Sequence, residues 1–226
     1  MDPATESSVA HLKLAWWGEE IQRLKRGAAV HPISTYLAAL PRAAVVDFDP
    51  LLTAVAAAAT QIGGAPLEHG ADLEPQCRAL YGGPLTLASR LAVDVPDAEA
   101  LGDCTQALAA GEYLAKAVQV YRREAGAGRV PFAIDELLAA GIDNDDLAAV
   151  PPPPHLQGYL DRLRERAASY FETAVQALPP AQRGPQRHLL VLAALSRKHL
   201  DGRSPPGERR SFKDMLLAWT TARRAH

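Results

Sequence analysis

Apolar residues recur at steps of three and four along most of this chain, which is the period of one helix face rather than the alternation of a β-strand. The clearest case is residues 100–137, where a long helix is predicted to begin after an N-cap at Asp97 and to end at a Gly-Ala-Gly break. The chain then turns into a shorter helix that begins near Asp135. The interior positions predicted for the long helix are Leu101, Leu108, Leu114, Ala117, Val118 and Tyr121.

Helices are predicted on both sides of this central helix. The first covers residues 8–26, and its buried stripe is predicted to be Val9, Leu12, Trp16, Ile21 and Leu24. Two others begin at Pro32 and Asp49, and three more cover residues 156–178, 186–200 and 211–223. A stiff proline linker is predicted at residues 151–154. The predicted fold class is therefore all-α, a single bundle of about eight helices that forms one domain over residues 1–226.

Composition and charge agree with one helical core. Hydrophobic residues make up 48% of the 226 residues, but alanine dominates them and aromatic residues are only 6%, a balance that favours closely packed helices over sheets. The formal net charge is −2, and the arginine-rich runs lie among or near acidic residues. Solvated helix faces explain those runs, so nucleic acid is not expected as a partner.

Cysteine usage and the terminal sequence point to a cellular compartment. Cys77 and Cys104 are too few for a disulfide framework, and the N-terminal residues show no basic-then-apolar signal region. No uninterrupted apolar run reaches the ~18 residues that a transmembrane helix needs. A reduced cytoplasmic protein without a transmembrane segment is expected, in contact with a membrane at most peripherally.

Several short motifs occur in a fixed order along the chain. They are Trp16-Trp17 followed by Glu19-Glu20, then Gly27, His31-Pro32, Cys77 with Gly82, the Arg122-Arg123 pair, Gly128-Arg129 and a final lysine-containing helix. This order resembles that of the squalene/phytoene synthase family, and the resemblance covers nearly the whole chain. The resemblance implies an isoprenoid-synthase-like fold that lacks its first one or two helices.

The resemblance also implies a chemistry that can be compared with the residues present. Members of the family join two allylic diphosphates, and ionising a diphosphate requires Mg²⁺ held by carboxylates at i and i+4 on two facing helices. At the matching positions, 121–127, this chain keeps one carboxylate, Glu124, and its i+4 neighbour is Gly128. The other motif is expected upstream of Met1. Neither catalytic residues nor metal ligands are therefore predicted, and Mg²⁺ is expected as a cofactor only if the chain is a transferase.

Other acidic groups have structural explanations. Glu99 and Asp103 lie in the first turns of the central helix, where negative charge offsets the helix dipole. Asp161 and Glu165 alternate with arginines and predict an ion-paired surface. Asp143 is better explained as a helix N-cap than as part of a calcium loop.

A binding site is predicted at the end of the central helix. The resemblance implies that Arg122, Arg123 and Arg129 take the places of basic residues that hold diphosphate oxygens, and an arginine fork can bind phosphate without metal. Tyr81 stands where the family has a small residue, and Pro84 where a helix should continue, so a narrowed or reshaped cavity is expected. Alternatively, these arginines pair with Glu124, Asp135 and Glu136 at the surface.

Three functions remain open from the sequence. The first is a non-catalytic family member that acts as a binding or assembly factor for a protein partner, as a degenerate domain of this kind does in a mitochondrial complex I assembly factor. The second is a prenyl transferase acting on farnesyl or geranylgeranyl diphosphate, with the missing half supplied by another chain or by an upstream start codon. The third is a carrier that holds an isoprenoid or lipid ligand in the remaining cavity.

Overall fold

The computed structural model describes residues 3–62, 66–200 and 212–225, which form a helical bundle. The prediction of an all-α fold is confirmed. Short 3-10 helices cover Ala43–Val45 and Gly70–Asp72, and one π-helical turn covers Arg78–Gly82. The α-helices are α1 (Pro3–Lys25), α2 (Pro32–Ala38), α3 (Asp49–Ile62), α4 (Leu73–Cys77), α5 (Gly83–Ala92), α6 (Ala98–Gly126), α7 (Ile134–Ala139), α8 (Asn144–Ala148), α9 (Pro154–Ala177), α10 (Pro180–Arg183), α11 (Arg187–His199) and α12 (Phe212–Arg224).

The 29-residue helix α6 forms the centre of the bundle and packs most extensively against α9. All six interior positions predicted for it are buried, and Asp97 caps it by accepting a hydrogen bond of 3.0 Å from the Ala100 N–H. Its end at Gly126 and the start of α7 at Ile134 confirm the predicted break and turn. Asp143 is the N-cap of α8, as predicted.

Helix α1 differs from its prediction in both its start and its buried face. It begins at Pro3 rather than Ser8, since proline is tolerated in a first helical turn. Ile21 and Leu24 are buried, but Val9, Leu12 and Trp16 are 44%, 70% and 40% exposed, so three of the five predicted stripe positions are wrong. Helix α1 packs mainly against α3 and the short α2, and this contact covers only part of its apolar face.

Pro84 does not interrupt the helix that contains it. Proline lacks an N–H and its ring clashes with the carbonyl four residues earlier in a regular α-helix. The π-helical turn at Arg78–Gly82 widens the backbone just before this point, and the Gly83 N–H bonds to the Arg78 carbonyl. The wider turn lets α4 continue into α5 through Pro84.

The motif residues at the junction of α1 and α2 have a structural role. Glu20 is fully buried, and one of its carboxylate oxygens accepts hydrogen bonds from the Val30 and His31 N–H groups at 2.9 and 2.8 Å. Its other oxygen accepts from Arg23 Nε at 2.8 Å. Burial alone would raise the pKa of Glu20, but these hydrogen bonds outweigh it and hold the pKa at about 2, below the ordinary 4.5.

We expect Glu20→Gln to lower the urea midpoint of unfolding at neutral pH. Because the folded pKa lies below the unfolded one, the stabilisation is present above about 4.5 and is lost as the pH falls towards 2. The wild-type midpoint should fall across that interval, and the fall should be smaller in the variant. Glu19→Gln is the matched control, since Glu19 meets the same Arg23 at 3.5 Å but is exposed. Equal pH dependence in wild type and Glu20→Gln would contradict this role.

Candidate functional site: a cationic cavity beside the central helix

A cavity of about 500 Å³ lies between α1, α3, the segment that runs through α4 into the π-helical turn, α6 and the turn that follows α6. Its apolar lining comes from α1, α3, Leu67, α6 and the turn after α6, and its polar groups lie on α3, α4, the π-helical turn, α6 and the turn after α6. The lining residues are Ala10, Ala58, Gln61, Ile62, Leu67, Gln76, Tyr81, Tyr113, Lys116, Ala117, Val120, Arg123, Glu124, Arg129, Val130 and Pro131.

One face of α6 forms a wall of this cavity. Tyr113, Ala117, Val120 and Glu124 follow one another at steps of three and four residues, so their side chains share one side of the helix. Burial, with a smaller contribution from the neighbouring Cys77 and Tyr81, raises the pKa of Tyr113 to about 12. Tyr113 therefore keeps its proton at neutral pH and offers the cavity a neutral hydroxyl donor.

The turn after α6 brings a second arginine back onto the helix. Gly128 has a φ of +71°, a conformation that L side chains rarely adopt, and the Arg129 N–H bonds to the Glu124 carbonyl at 2.9 Å. As a result Arg129 Nε lies 2.7 Å from one oxygen of the Glu124 carboxylate, and Arg123 Nη2 lies 2.9 Å from the other. Burial opposes ionisation of Glu124, but the bonds from Arg129 and Arg123 outweigh it and lower the pKa of this carboxyl.

The charged groups of the lining do not balance. Three cations, Lys116, Arg123 and Arg129, face one carboxylate, Glu124, which leaves a formal charge of 3 − 1 = +2. Glu124 is shared by the two arginines, and Lys116 forms no ion pair with the described residues. A cavity with apolar walls and excess positive charge is suited to an anionic amphiphile.

The structure brings together three of the four residues predicted for the binding site. Tyr81, Arg123 and Arg129 line the cavity, whereas Arg122 does not. The Arg122 guanidinium instead lies 5.7 Å from the Tyr121 ring centroid and donates a hydrogen bond of 3.3 Å to the Tyr121 hydroxyl. Adjacent helix residues are rotated by about 100°, so the Arg122-Arg123 pair cannot face one cavity equally.

The alternative interpretation, surface ion pairing of the arginines, holds for Glu124 but not for the other two carboxylates. Asp135 accepts a hydrogen bond from the Gly70 N–H at 2.9 Å. Glu136 binds Arg166 at 2.8 Å and the Tyr159 hydroxyl at 3.1 Å. Asp135 thus binds the segment before α4, and Glu136 binds helix α9. Neither carboxylate pairs with the predicted arginines.

Sequence reasoning missed two polar residues of the wall, Lys116 and Tyr113. The signal that could have found them is their spacing: Lys116 precedes Val120 by four residues and Arg123 by seven. Once Arg123 is placed at the cavity, the helical period of α6 also places Lys116 there. From the sequence alone, this face of α6 cannot be distinguished from the adjacent face as the one that lines a cavity.

The lining residues do not fit a magnesium cluster. Mg²⁺ binds through carboxylate oxygens, and the single carboxylate of the lining has both oxygens engaged by arginines. Across the described residues, no group of three His, Cys, Asp or Glu side chains has the arrangement of a metal site. In the acidic pair of Asp161 and Glu165, Asp161 binds Arg164. This contact agrees with the predicted ion-paired surface.

Comparisons with known proteins agree with this fold. The sequence profile of the squalene/phytoene synthase family matches residues 1–202, so the chain belongs to this family. A dehydrosqualene synthase crystallised with a ligand superposes with a TM-score of 0.76 at 12% identity, covering 93% of this chain and 77% of that chain.

Squalene synthase HpnC from Alicyclobacillus acidocaldarius superposes with a TM-score of 0.70 at 19% identity, covering 84% of this chain and 71% of that chain. At these low sequence identities, the two comparisons show a shared fold. No curated protein matches the sequence significantly.

Proposed function

We propose that this chain is a non-catalytic member of the squalene/phytoene synthase family that acts as a binding or assembly factor. Its cavity takes an anionic amphiphile, such as an isoprenoid or lipid bearing a phosphate or diphosphate. The anion is held directly by Lys116, Arg123 and Arg129 rather than through bound Mg²⁺.

The observation that carries this proposal is the pairing of Glu124 with two arginines. Glu124 is the one carboxylate that the lining offers, and guanidinium groups at 2.7 and 2.9 Å occupy both its oxygens. A divalent cation at this position would have to displace both arginines and would still meet the charge of Lys116. The same three cations favour an anionic head group, and the apolar lining favours a hydrocarbon tail.

The cavity residues also offer neutral donors for such a head group. Tyr113 keeps its hydroxyl proton, and Tyr81 and Gln76 lie on the opposing segment, α4 and its π-helical turn. The bond-breaking step of a synthase needs charge neutralisation of the leaving diphosphate by metal ions. The lining offers groups that can bind a diphosphate but no carboxylates free to hold the metal ions that would neutralise it as it leaves. Binding without turnover is therefore expected.

The experiment that tests this function measures pyrophosphate release from farnesyl and geranylgeranyl diphosphate in the presence of Mg²⁺. A catalytically active dehydrosqualene synthase, assayed in parallel, shows that the conditions support the reaction. We expect this chain to release no more pyrophosphate than a protein-free control. Release that requires Mg²⁺ and stops with EDTA would overturn the proposal and favour the prenyl transferase alternative.

A further inference from the structure

Helix α12 exposes three large apolar side chains. Met215, Leu216 and Trp219 are 59%, 48% and 56% exposed. Residues that are buried or half-buried are mostly small or polar: Leu217, Ala218, Thr220, Thr221, Ala222 and Ala225. The helix packs on α11. An amphipathic helix that only completed a core would be oriented the other way.

The exposed face of α12 is also cationic. Successive residues are rotated by about 100°, so Met215, Trp219 and Arg223 form one line, with Leu216 beside it and Lys213 and Arg224 next to Leu216. The Arg223 guanidinium lies 4.9 Å from the Trp219 ring centroid. The one acidic residue of α12, Asp214, is only part-exposed and binds Lys198 of α11 at 2.6 Å.

We propose that α12 docks the protein on an anionic lipid surface. Its apolar centre would enter the interface between head groups and acyl chains, and Lys213, Arg223 and Arg224 would contact the anionic head groups. No helix in the described ranges is long and apolar enough to cross a bilayer. The proposal stands on α12 alone and does not rest on the function of the cavity.

Charge decides between a lipid surface and a second copy of the chain. A two-fold interface through this face would place the same patch on both sides. The arginines and the lysine of one copy would then meet those of the other with no exposed carboxylate of α12 between them. An anionic membrane supplies the opposite charge as well as an apolar layer for Trp219.

The test is flotation of the full chain with vesicles of phosphatidylcholine alone and with vesicles in which about a third of the lipid is phosphatidylglycerol. We expect binding to the anionic vesicles, weakened by added salt. Arg223→Gln/Arg224→Gln should weaken it about fivefold for each arginine removed. Leu216→Ser/Trp219→Ala should weaken it at least about tenfold. These residues are exposed, so circular dichroism should show both variants folded.

Two matched controls separate this face from general surface properties. Leu138→Ser removes a leucine that is 73% exposed on α7, and Arg26→Gln/Arg90→Gln removes two exposed arginines elsewhere. Both should bind as the wild type does. Binding that ignores vesicle charge, or that survives both α12 variants, would overturn the proposal. So would a wild-type dimer that binds no vesicles and becomes monomeric in Leu216→Ser/Trp219→Ala.

Discussion

Gly111→Ala is expected to destabilise the protein, although alanine is normally the better helix residue. A Cβ atom at position 111 would lie 2.6 Å from Cε1 and 2.9 Å from Cδ1 of Phe171, which is buried in the contact between α6 and α9. Overpacking of this kind costs about 1–3 kcal/mol. That exceeds the gain of at most about 1 kcal/mol from replacing a mid-helix glycine. Urea unfolding of wild type and variant measures the difference.

The same helix supplies the control for this prediction. Gly102 also lies in α6, but a Cβ added there meets no atom within 4 Å. Gly102→Ala should therefore stabilise the protein by up to about 1 kcal/mol. Phe171→Leu should cost less in the Gly111→Ala background than in the wild type, because the two sites share one contact. A Gly111→Ala protein as stable as Gly102→Ala would show that this contact between α6 and α9 is not tight.

Lys116→Gln/Arg129→Gln is expected to weaken binding of farnesyl diphosphate by more than roughly tenfold to a hundredfold, which is the range for loss of one charged hydrogen bond. The variant changes the formal charge of the lining from +2 to 0 and leaves the Arg123–Glu124 pair in place. Titration calorimetry with farnesyl diphosphate measures the affinity. Thermal unfolding without ligand checks that the double variant is folded.

Arg122→Gln is the matched control for charge. Arg122 precedes Arg123 directly but stacks on Tyr121 outside the cavity, so its loss should leave the affinity unchanged. Equal weakening by Arg122→Gln and by the double variant would mean that the ligand responds to overall charge. The cavity would then not be its site.

The residues that the sequence placed correctly are those whose neighbours are local. Asp97 caps α6 through a residue three positions away, and Gly128 ends the turn by its own backbone freedom. The buried positions of α6 follow from its period, because this helix is surrounded on most sides. A 3.6-residue pattern is sufficient where the whole environment of a helix is protein.

The residues that the sequence misplaced depend on distant partners. Val9, Leu12 and Trp16 have the period of a buried stripe, but only the placement of α2 and α3 decides which side of α1 is covered. Arg122 and Arg123 are indistinguishable in a motif and are separated by the rotation between adjacent helix positions. Pro84 is compatible with a continuous helix because of the π-helical turn before it, which the sequence does not reveal. Glu20 explains part of the family motif only once its bonds to residues 30 and 31 are seen.

We expect the chain's own cations, rather than Mg²⁺, to hold the anion in this cavity. Titration of farnesyl diphosphate into the wild-type protein, once in EDTA and once in excess Mg²⁺, distinguishes the two. The arrangement of Lys116, Arg123 and Arg129 predicts saturable binding of similar affinity in both buffers. Binding that occurs only with Mg²⁺ would contradict it, because the metal would then supply the contact assigned to these three side chains.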